Sequence, residues 1–331
     1  MSGPAPSAAE DVSTAVRIIA VPLMLVAGAI VAVQSQVNGR LAHELGTGPR
    51  AGIATAVINF GVGIVLLTVV VLSVPSARAG VARLVGQIRL RQLHPLELTG
   101  GLFGAYLVTT QGITVGTIGV ALFTVAVTAG QSSSSLLVDH LGIGPSGHQS
   151  FSVPRAVAAA FAVAAVVLAA GERLVATFSV EIVVFALLAL LAGAGAAFQM
   201  AFNGRLAAIG GGWAATLNNF VVGMAALLVA LAASFLVHGR LDDLPGTWWL
   251  YTGGLLGVTL IWLAAMLVKV HGVLVLGLCL VAGQVICAEL IELLGPSAHV
   301  GIVGVVAGAL TVVGVLVALL LRPRVRRAEN V

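Results

Sequence analysis

Ten apolar runs follow one another along the chain, at approximately 17–37, 51–74, 96–116, 118–139, 155–176, 181–202, 214–237, 248–268, 271–293 and 299–321. Each is close to the roughly 20 residues that a helix needs to cross a hydrocarbon core of about 30 Å. In lipid every backbone N–H and C=O must be bonded within the segment, which leaves helices or closed barrels. The runs are built from Gly, Ala, Val and Leu without the alternation of a barrel strand. The chain is therefore read as an all-α integral membrane protein with ten transmembrane helices. Composition agrees, with 8% charged residues and a mean hydropathy of +1.12, against about 25% charged in soluble domains.

The first run is too long for a signal-peptide core and has Glu10 and Asp11 where positive charge should stand, so it is kept as a mature span behind a small, polar, disordered tail at 1–15. Cys279 and Cys287 lie eight residues apart in the ninth run, about 12 Å along a helix, and are expected to be free thiols. With the N-terminus cytoplasmic, twelve Arg and Lys residues fall inside and four outside (Arg40, Arg50, Arg173, Arg240). The positive-inside rule then places both termini in the cytoplasm, the C-terminal one as a basic tail at 322–331. The net charge is only +4, so no nucleic-acid partner is implied. The lipid bilayer is the expected environment, and a homodimer is compatible with the chain.

The chain repeats itself. VQSQVNGRLA returns as FQMAFNGRLA, setting Gln34, Asn38, Gly39 and Arg40 against Gln199, Asn203, Gly204 and Arg205 at a spacing of 165. INFGVG faces NNFVVG, TGGLFGA faces TGGLLGV, and AGQSSSSLLVDHLG faces AGQVICAELIELLG; the last two pairs share a spacing of 153. Two units follow, at 16–176 and 177–321, each with five spans. An odd number forces the second unit to enter the membrane from the opposite side. The loops after the second and seventh spans agree, since one carries four arginines and the other one arginine with two aspartates. Two inverted five-helix repeats are the architecture of a secondary carrier, whose halves exchange conformations around a central site.

Those motifs resemble the YdcZ-type branch of the drug/metabolite transporter superfamily: Gln…Asn-Gly-Arg-Leu at the end of the first span, Asn-Phe-x-x-Gly in the second, Ala-Gly-Gln…Asp-x-Leu-Gly in the fourth. The resemblance covers residues 16–321 and implies two such units fused, a ten-helix exporter or facilitator of small molecules in a bacterial inner membrane, with no ATPase module. Small multidrug-resistance relatives carry a glutamate in the first span. Neither half has a membrane-embedded one there, Glu181 standing at the very first residue of its run, which argues against proton-coupled export by their route.

Polar groups at membrane depth need a partner or a use. Gln131, Ser135 and Asp139 recur every four residues as one helical stripe, repeated by Gln284 and Glu292, with Glu289 a turn deeper. One reading makes them cavity-lining, together with Gln34, Asn38, Gln199 and Asn203, and has an acid exchange a proton or meet a cationic substrate. The other makes Asp139 and Glu292 solvated helix-end residues and the amides interhelical hydrogen bonds, as is favoured for Asn59, Asn218 and Asn219. Asn38-Gly39 looks like a hairpin signal, but its position closing a span reads better as a helix-ending device, with Arg40 anchoring that end. Trp248 and Trp249 read as interfacial anchors, while Trp262 and Tyr106 are placed to reach a cavity. Phosphate-cradling loops, paired metal-binding histidines and a Gly-x-Ser-x-Gly elbow are missing from the sequence, so neither an enzyme nor a cofactor site is expected. A non-transporting membrane scaffold with a carrier-like fold is the alternative.

Overall fold

The computed structural model describes residues 14–149 and 180–294, together with isolated positions in 153–164 and 306–316. The tails, the fifth run (155–176) and the tenth (299–321) fall largely outside them. The described chain is helical: α1 (Thr14–Leu45), α2 (Pro49–Ser73), α3 (Pro75–Arg89), α4 (Gly100–His140), α5 (Val180–Gly210), α6 (Gly212–Ser234), α7 (Gly253–His271) and α8 (Val273–Leu294). Two single-turn 3₁₀ helices, Pro95–Thr99 and Trp248–Thr252, precede α4 and α7. A two-residue bridge, β1 (Gly46–Thr47) against β2 (Arg240–Leu241), ties the far ends of α1 and α6. The stretches Ala15–Leu45, Pro49–Ser73, Val180–Gly210, Gly212–Ser234 and Trp248–His271 are each long and apolar enough to cross a membrane.

Two expectations are corrected. Asn38-Gly39 and Asn203-Gly204 do not end helices; α1 runs on to Leu45 and α5 to Gly210. Neither glycine adopts a positive φ, and the amides turn sideways to neighbouring helices instead of closing the backbone. The arginine-rich segment after the second span is also a helix, α3. Pro75 starts it at a position where the missing N–H costs nothing. It buries Ala77, Gly80 and Leu84 and sets Gly80 against the Gly210 carbonyl, so that α3 lies against the α5–α6 corner.

The third and fourth runs join into the single helix α4 of 41 residues. Gly104 packs on Gln199 while the Val127 carbonyl packs on Gly193. Those contacts lie about 9 Å apart on α5, whereas 23 residues of straight helix would cover about 34 Å. α4 therefore doubles back between them. Its first arm runs antiparallel to α5, with Gly100 at Asn203 and Gly104 at Gln199. Its second arm runs parallel, with Gly130 at Leu190 and, past the helix end, Pro145 at Gly204. α7 and α8 form the same two arms around α1, divided at Gly272, whose φ of +87° suits glycine.

These contacts come in equivalent pairs. Gly28 sits on the Leu280 carbonyl and Gly193 on the Val127 carbonyl; Gly283 sits on the Leu25 carbonyl and Gly130 on the Leu190 carbonyl. Gly257 faces Gln34 as Gly104 faces Gln199, and Gly63 faces Phe220 as Gly223 faces Phe60. A constant offset along each helix (165 for α1 to α5, 160 for α2 to α6, 153 for the arms of α4 to α7 and α8) turns each contact into its partner. Exchange of this kind is what an approximate two-fold relation between two halves requires. Each half lends its first helix to the other, and glycines at the crossings bring backbones into direct contact.

Candidate functional site

The repeated amides gather at two places on either side of this pseudo-axis. In the first cluster Asn59 Nδ2 donates to Asn38 Oδ1 at 2.8 Å and Gln34 Nε2 donates to the Gly253 carbonyl at 3.0 Å. In the second, Asn219 Oδ1 accepts from both Gln199 Nε2 at 3.0 Å and Asn203 Nδ2 at 2.9 Å. Asn38, Asn59, Gln199, Asn203 and Asn219 are all buried. The amides lie against the Thr-Gly-Gly turns that open α4 and α7, because a Cβ at Gly100 or Gly253 would occupy the space of the asparagine side chains. Asn59 Oδ1 and Asn203 Oδ1 are buried without a hydrogen-bond partner, packed against Gly253 and Gly100, and of the two asparagines Asn59 alone lines the cavity between the clusters.

Between the clusters is a cavity of about 90 Å³. It is lined in pairs: Gln34 with Gln199, Asn59 with Asn219, Phe60 with Phe220, Gly104 with Gly257, Leu107 with Leu260 and Val108 with Ile261, joined by Asn38, Gly253 and Gly254. Phe60 and Phe220 meet at 4.8 Å between ring centroids, tilted by 35°. The lining holds amides, rings and aliphatic groups but no ionisable side chain. Such a chamber suits an uncharged, hydrogen-bonding body with apolar faces.

The two ends of the cavity differ. On the side of Asn38 it shares Asn38 and Val108 with a vestibule of about 540 Å³, lined also by Ser35, Gln36, Gly39, Arg40, His43, Thr55 and Gln111. Arg40 lies at its mouth, 5.5 Å from the Trp249 ring centroid. Among the described residues, a Cβ on Gly39 would meet nothing within 4 Å. On the side of Asn203 the equivalent space is filled. Gly204 is covered by Val268 and Pro145, Gly212 lies under Trp262 and Met266, and Trp213 stacks on Trp262 at 5.1 Å. Across the outside of this plug Arg205 Nη1 reaches Glu97 Oε1 at 2.6 Å and its Nη2 donates to the Gly142 carbonyl at 3.4 Å. Asn218 Nδ2 donates to the Leu98 carbonyl at 3.0 Å alongside.

The structure brings four of the sequence-selected residues to the amide clusters: Gln34, Asn38, Gln199 and Asn203. Gln131, Ser135 and Asp139 form their expected stripe, but it faces α8, and none of the three lines either cavity. Gly277 packs beside Gln131 and Ser135. Asp139 stands at a helix end yet is 0% exposed. Its Oδ1 and Oδ2 accept from the backbone N–H groups of Val273 and Leu274, at 2.9 and 3.1 Å. It caps the positive end of α8 from another helix, satisfying donors that the break at Gly272 leaves open. Gln284 is half-buried on α8, and the side chains of Glu289 and Glu292 lie outside the described residues. Cys279 and Cys287 are free thiols. Tyr106 donates to the Leu188 carbonyl at 3.2 Å rather than reaching a cavity, Trp262 belongs to the plug, and Trp248 is exposed.

Sequence reasoning did not select Phe60, Phe220, Glu97 or the Thr-Gly-Gly turns as part of the site. The turns and the two phenylalanines stood inside repeat blocks already recognised, so a search for repeated residues beside repeated amides would have found them.

Residues 19–168 and 184–324 match the family described as "Putative inner membrane exporter, YdcZ". Among solved structures, a crystal structure with 17% sequence identity covers 96% of this chain and 100% of its own, with a TM-score of 0.65; at that identity the likeness is one of fold. No curated protein matches the chain. The family match covers both halves and most of the length, and the chain belongs to the YdcZ family of inner-membrane exporters, as a multi-pass membrane protein.

Proposed function

We propose that this member of the YdcZ family is a secondary transporter that moves a small molecule by alternating access, with ten helices arranged as two inverted five-helix repeats at 16–176 and 177–321. Both termini are cytoplasmic in this reading, so the Arg40 mouth faces outward and the Arg205 mouth inward. The observation that carries the reading is the contrast between the mouths. Equivalent residues surround one central cavity, and among the described residues the space open at Asn38–Arg40 is filled at Asn203–Arg205. When two halves share contacts by pseudo-symmetry, the conformation of one is accessible to the other. Exchange of the two arrangements would close the outer vestibule and open the inner one, with Ile53, Thr109 and Leu250 standing at the outer mouth where Trp213, Trp262 and Glu97 stand at the inner one.

Substrate is expected to touch Gln34, Asn59, Gln199 and Asn219 and to lie against Phe60 and Phe220. Asp139 is occupied as a helix cap, so the reading gives it a structural rather than a coupling role.

The test is flux into proteoliposomes over a chemically broad solute panel, with cysteines placed at Glu97 and Arg205 so that a bifunctional reagent can hold the inner mouth shut. A carrier moves at least one solute, and crosslinking abolishes that flux until the linker is cleaved. No flux for any solute, with thermal stability in detergent unaffected by the whole panel, favours the scaffold alternative.

A further inference from the structure

The charged groups along the path are few, and their signs are uneven. Among the described residues, the open vestibule is lined by Arg40 and His43 and by no acid. Arg50 lies beside the vestibule without lining it; its Nη1 and Nη2 donate to the carbonyls of Ser234, Val237 and Gly239 at 2.8–3.0 Å, while its Nε is buried without a partner, so these bonds do not cancel its charge. The nearby acids are Glu44, which is exposed and outside the lining, Asp242, which is paired with Arg240 at 2.8 Å, and Asp243. The chamber beyond is uncharged. At the far mouth stands Arg205, the repeat counterpart of Arg40, now bound by Glu97. The counterpart of Glu97 at the offset of 153 is Leu250. The arginine thus recurs at both mouths, while among the described residues a carboxylate partner is present at the closed one and not at the open one.

An arginine serving merely to glue helices would have a partner in both copies. One serving merely to fix topology would not recur on the face that the positive-inside rule disfavours. A planar guanidinium that recurs where cargo must enter and leave suits recognition of a carboxylate, which it can grip with two parallel hydrogen bonds. We propose that Arg40 and Arg205 are paired anion-receiving sites at the two mouths. The cargo then carries a carboxylate or similar single-anion group on an uncharged, hydrogen-bonding body, and Glu97 occupies the anion's place at the closed mouth. The inference rests on the alternating-access reading and adds to it a substrate class. An arriving anion competes with Glu97 for Arg205, which couples cargo exit to release of the inner latch.

Charge-selective thiol chemistry tests this without an identified substrate. In full-length protein with Cys279 and Cys287 replaced by Ala, Gln111→Cys reports on the outer vestibule. The probes are a sulfonate-bearing and a trimethylammonium-bearing thiosulfonate, with rates normalised to a free thiol in solution. Field focusing in a vestibule of one sign favours the sulfonate by about tenfold. Arg40→Gln brings the ratio near unity, and Arg40→Lys keeps most of it. At the inner mouth, Ala264→Cys is slow to react until Glu97→Gln frees Arg205; then the sulfonate reagent gains more than the cation, and adding Arg205→Gln removes that gain. Equal rates at Gln111→Cys, preference for the cation, or a ratio indifferent to Arg40→Gln overturns the anion assignment while leaving the carrier reading intact. Failure of both reagents to label Gln111→Cys overturns both.

Discussion

Asn38-Gly39-Arg40 and Asn203-Gly204-Arg205 are the same tripeptide in helices of the same kind, yet their surroundings are opposite. Among the described residues nothing stands over Gly39, whereas Gly204 lies beneath Pro145 and Val268. Arg40 rests near an aromatic ring at the mouth of a vestibule, and Arg205 is clamped to Glu97 over a plug. The amides repeat the contrast more quietly, for Asn219 accepts two hydrogen bonds where Asn59 makes one to Asn38. The tripeptide is shared but the residues around it are not all shared: Glu97, Trp213 and Trp262 have Leu250, Ile53 and Thr109 as counterparts, so the contrast has a part fixed by sequence and a part that conformation can exchange.

The comparison can be broken first where the halves are equivalent. Gly193→Leu and Gly28→Leu each drive a side chain into a backbone carbonyl of a crossing helix. Both should cost about 3 kcal/mol or more, read as a matching loss of folded protein on detergent gels. A large loss in one and none in the other would break the pseudo-symmetry. Asp139→Ala strips the cap from two buried N–H groups of α8 and should cost about 2 kcal/mol, with Asp139→Asn costing less. Thermal unfolding in detergent measures both.

The next substitutions probe the inequality itself. Gly204→Val presses on Pro145 and Val268 and should cost about 1–3 kcal/mol, whereas Gly39→Val meets nothing and should stay within about 0.5 kcal/mol of the parent. Equal costs, again from thermal unfolding, would show the two mouths to be alike. The smallest effect on stability belongs to Glu97→Gln, about 0.5–1 kcal/mol for a partly exposed pair. Its consequence for access should be larger, with faster labelling of an inner-mouth cysteine, and rising salt should produce the same change in the parent protein.

Much of this organisation is legible in the sequence. Runs of apolar residues of membrane length mark spans, and the return of Asn-Gly-Arg and Ala-Gly-Gln aligns the halves because the same residues make the same contacts. The period-four stripe of Gln131, Ser135 and Asp139 is legible as one helix face. What it faces is not, because that depends on the break at Gly272, which exposes the N-terminus of α8 to the Asp139 carboxylate. Asn38-Gly39 misleads for a related reason. Glycine and asparagine weaken a helix only modestly, and the hydrogen bond that Asn38 accepts from Asn59 of a neighbouring helix holds the turn that local preference would open. The helix α3 hides because its arginines suggest a loop while its small apolar face packs on α5 and α6. Which mouth is open cannot be legible in two identical tripeptides, since sequence identity specifies the shared contacts and not the state in which each is found.

The central claim is that the two mouths exchange states. Spin labels on cysteines at Ala42 and Gln111 span the outer vestibule, and labels at Ala207 and Ala264 span the equivalent positions at the inner mouth, related by the offsets of 165 and 153. Pulsed electron-paramagnetic-resonance distances in liposomes should give a long outer and a short inner separation, with a second population in which these are reversed, the two moving in opposite directions when Glu97→Gln loosens the inner latch. A single population for each pair, or outer and inner distances that lengthen together in Glu97→Gln, would contradict the account.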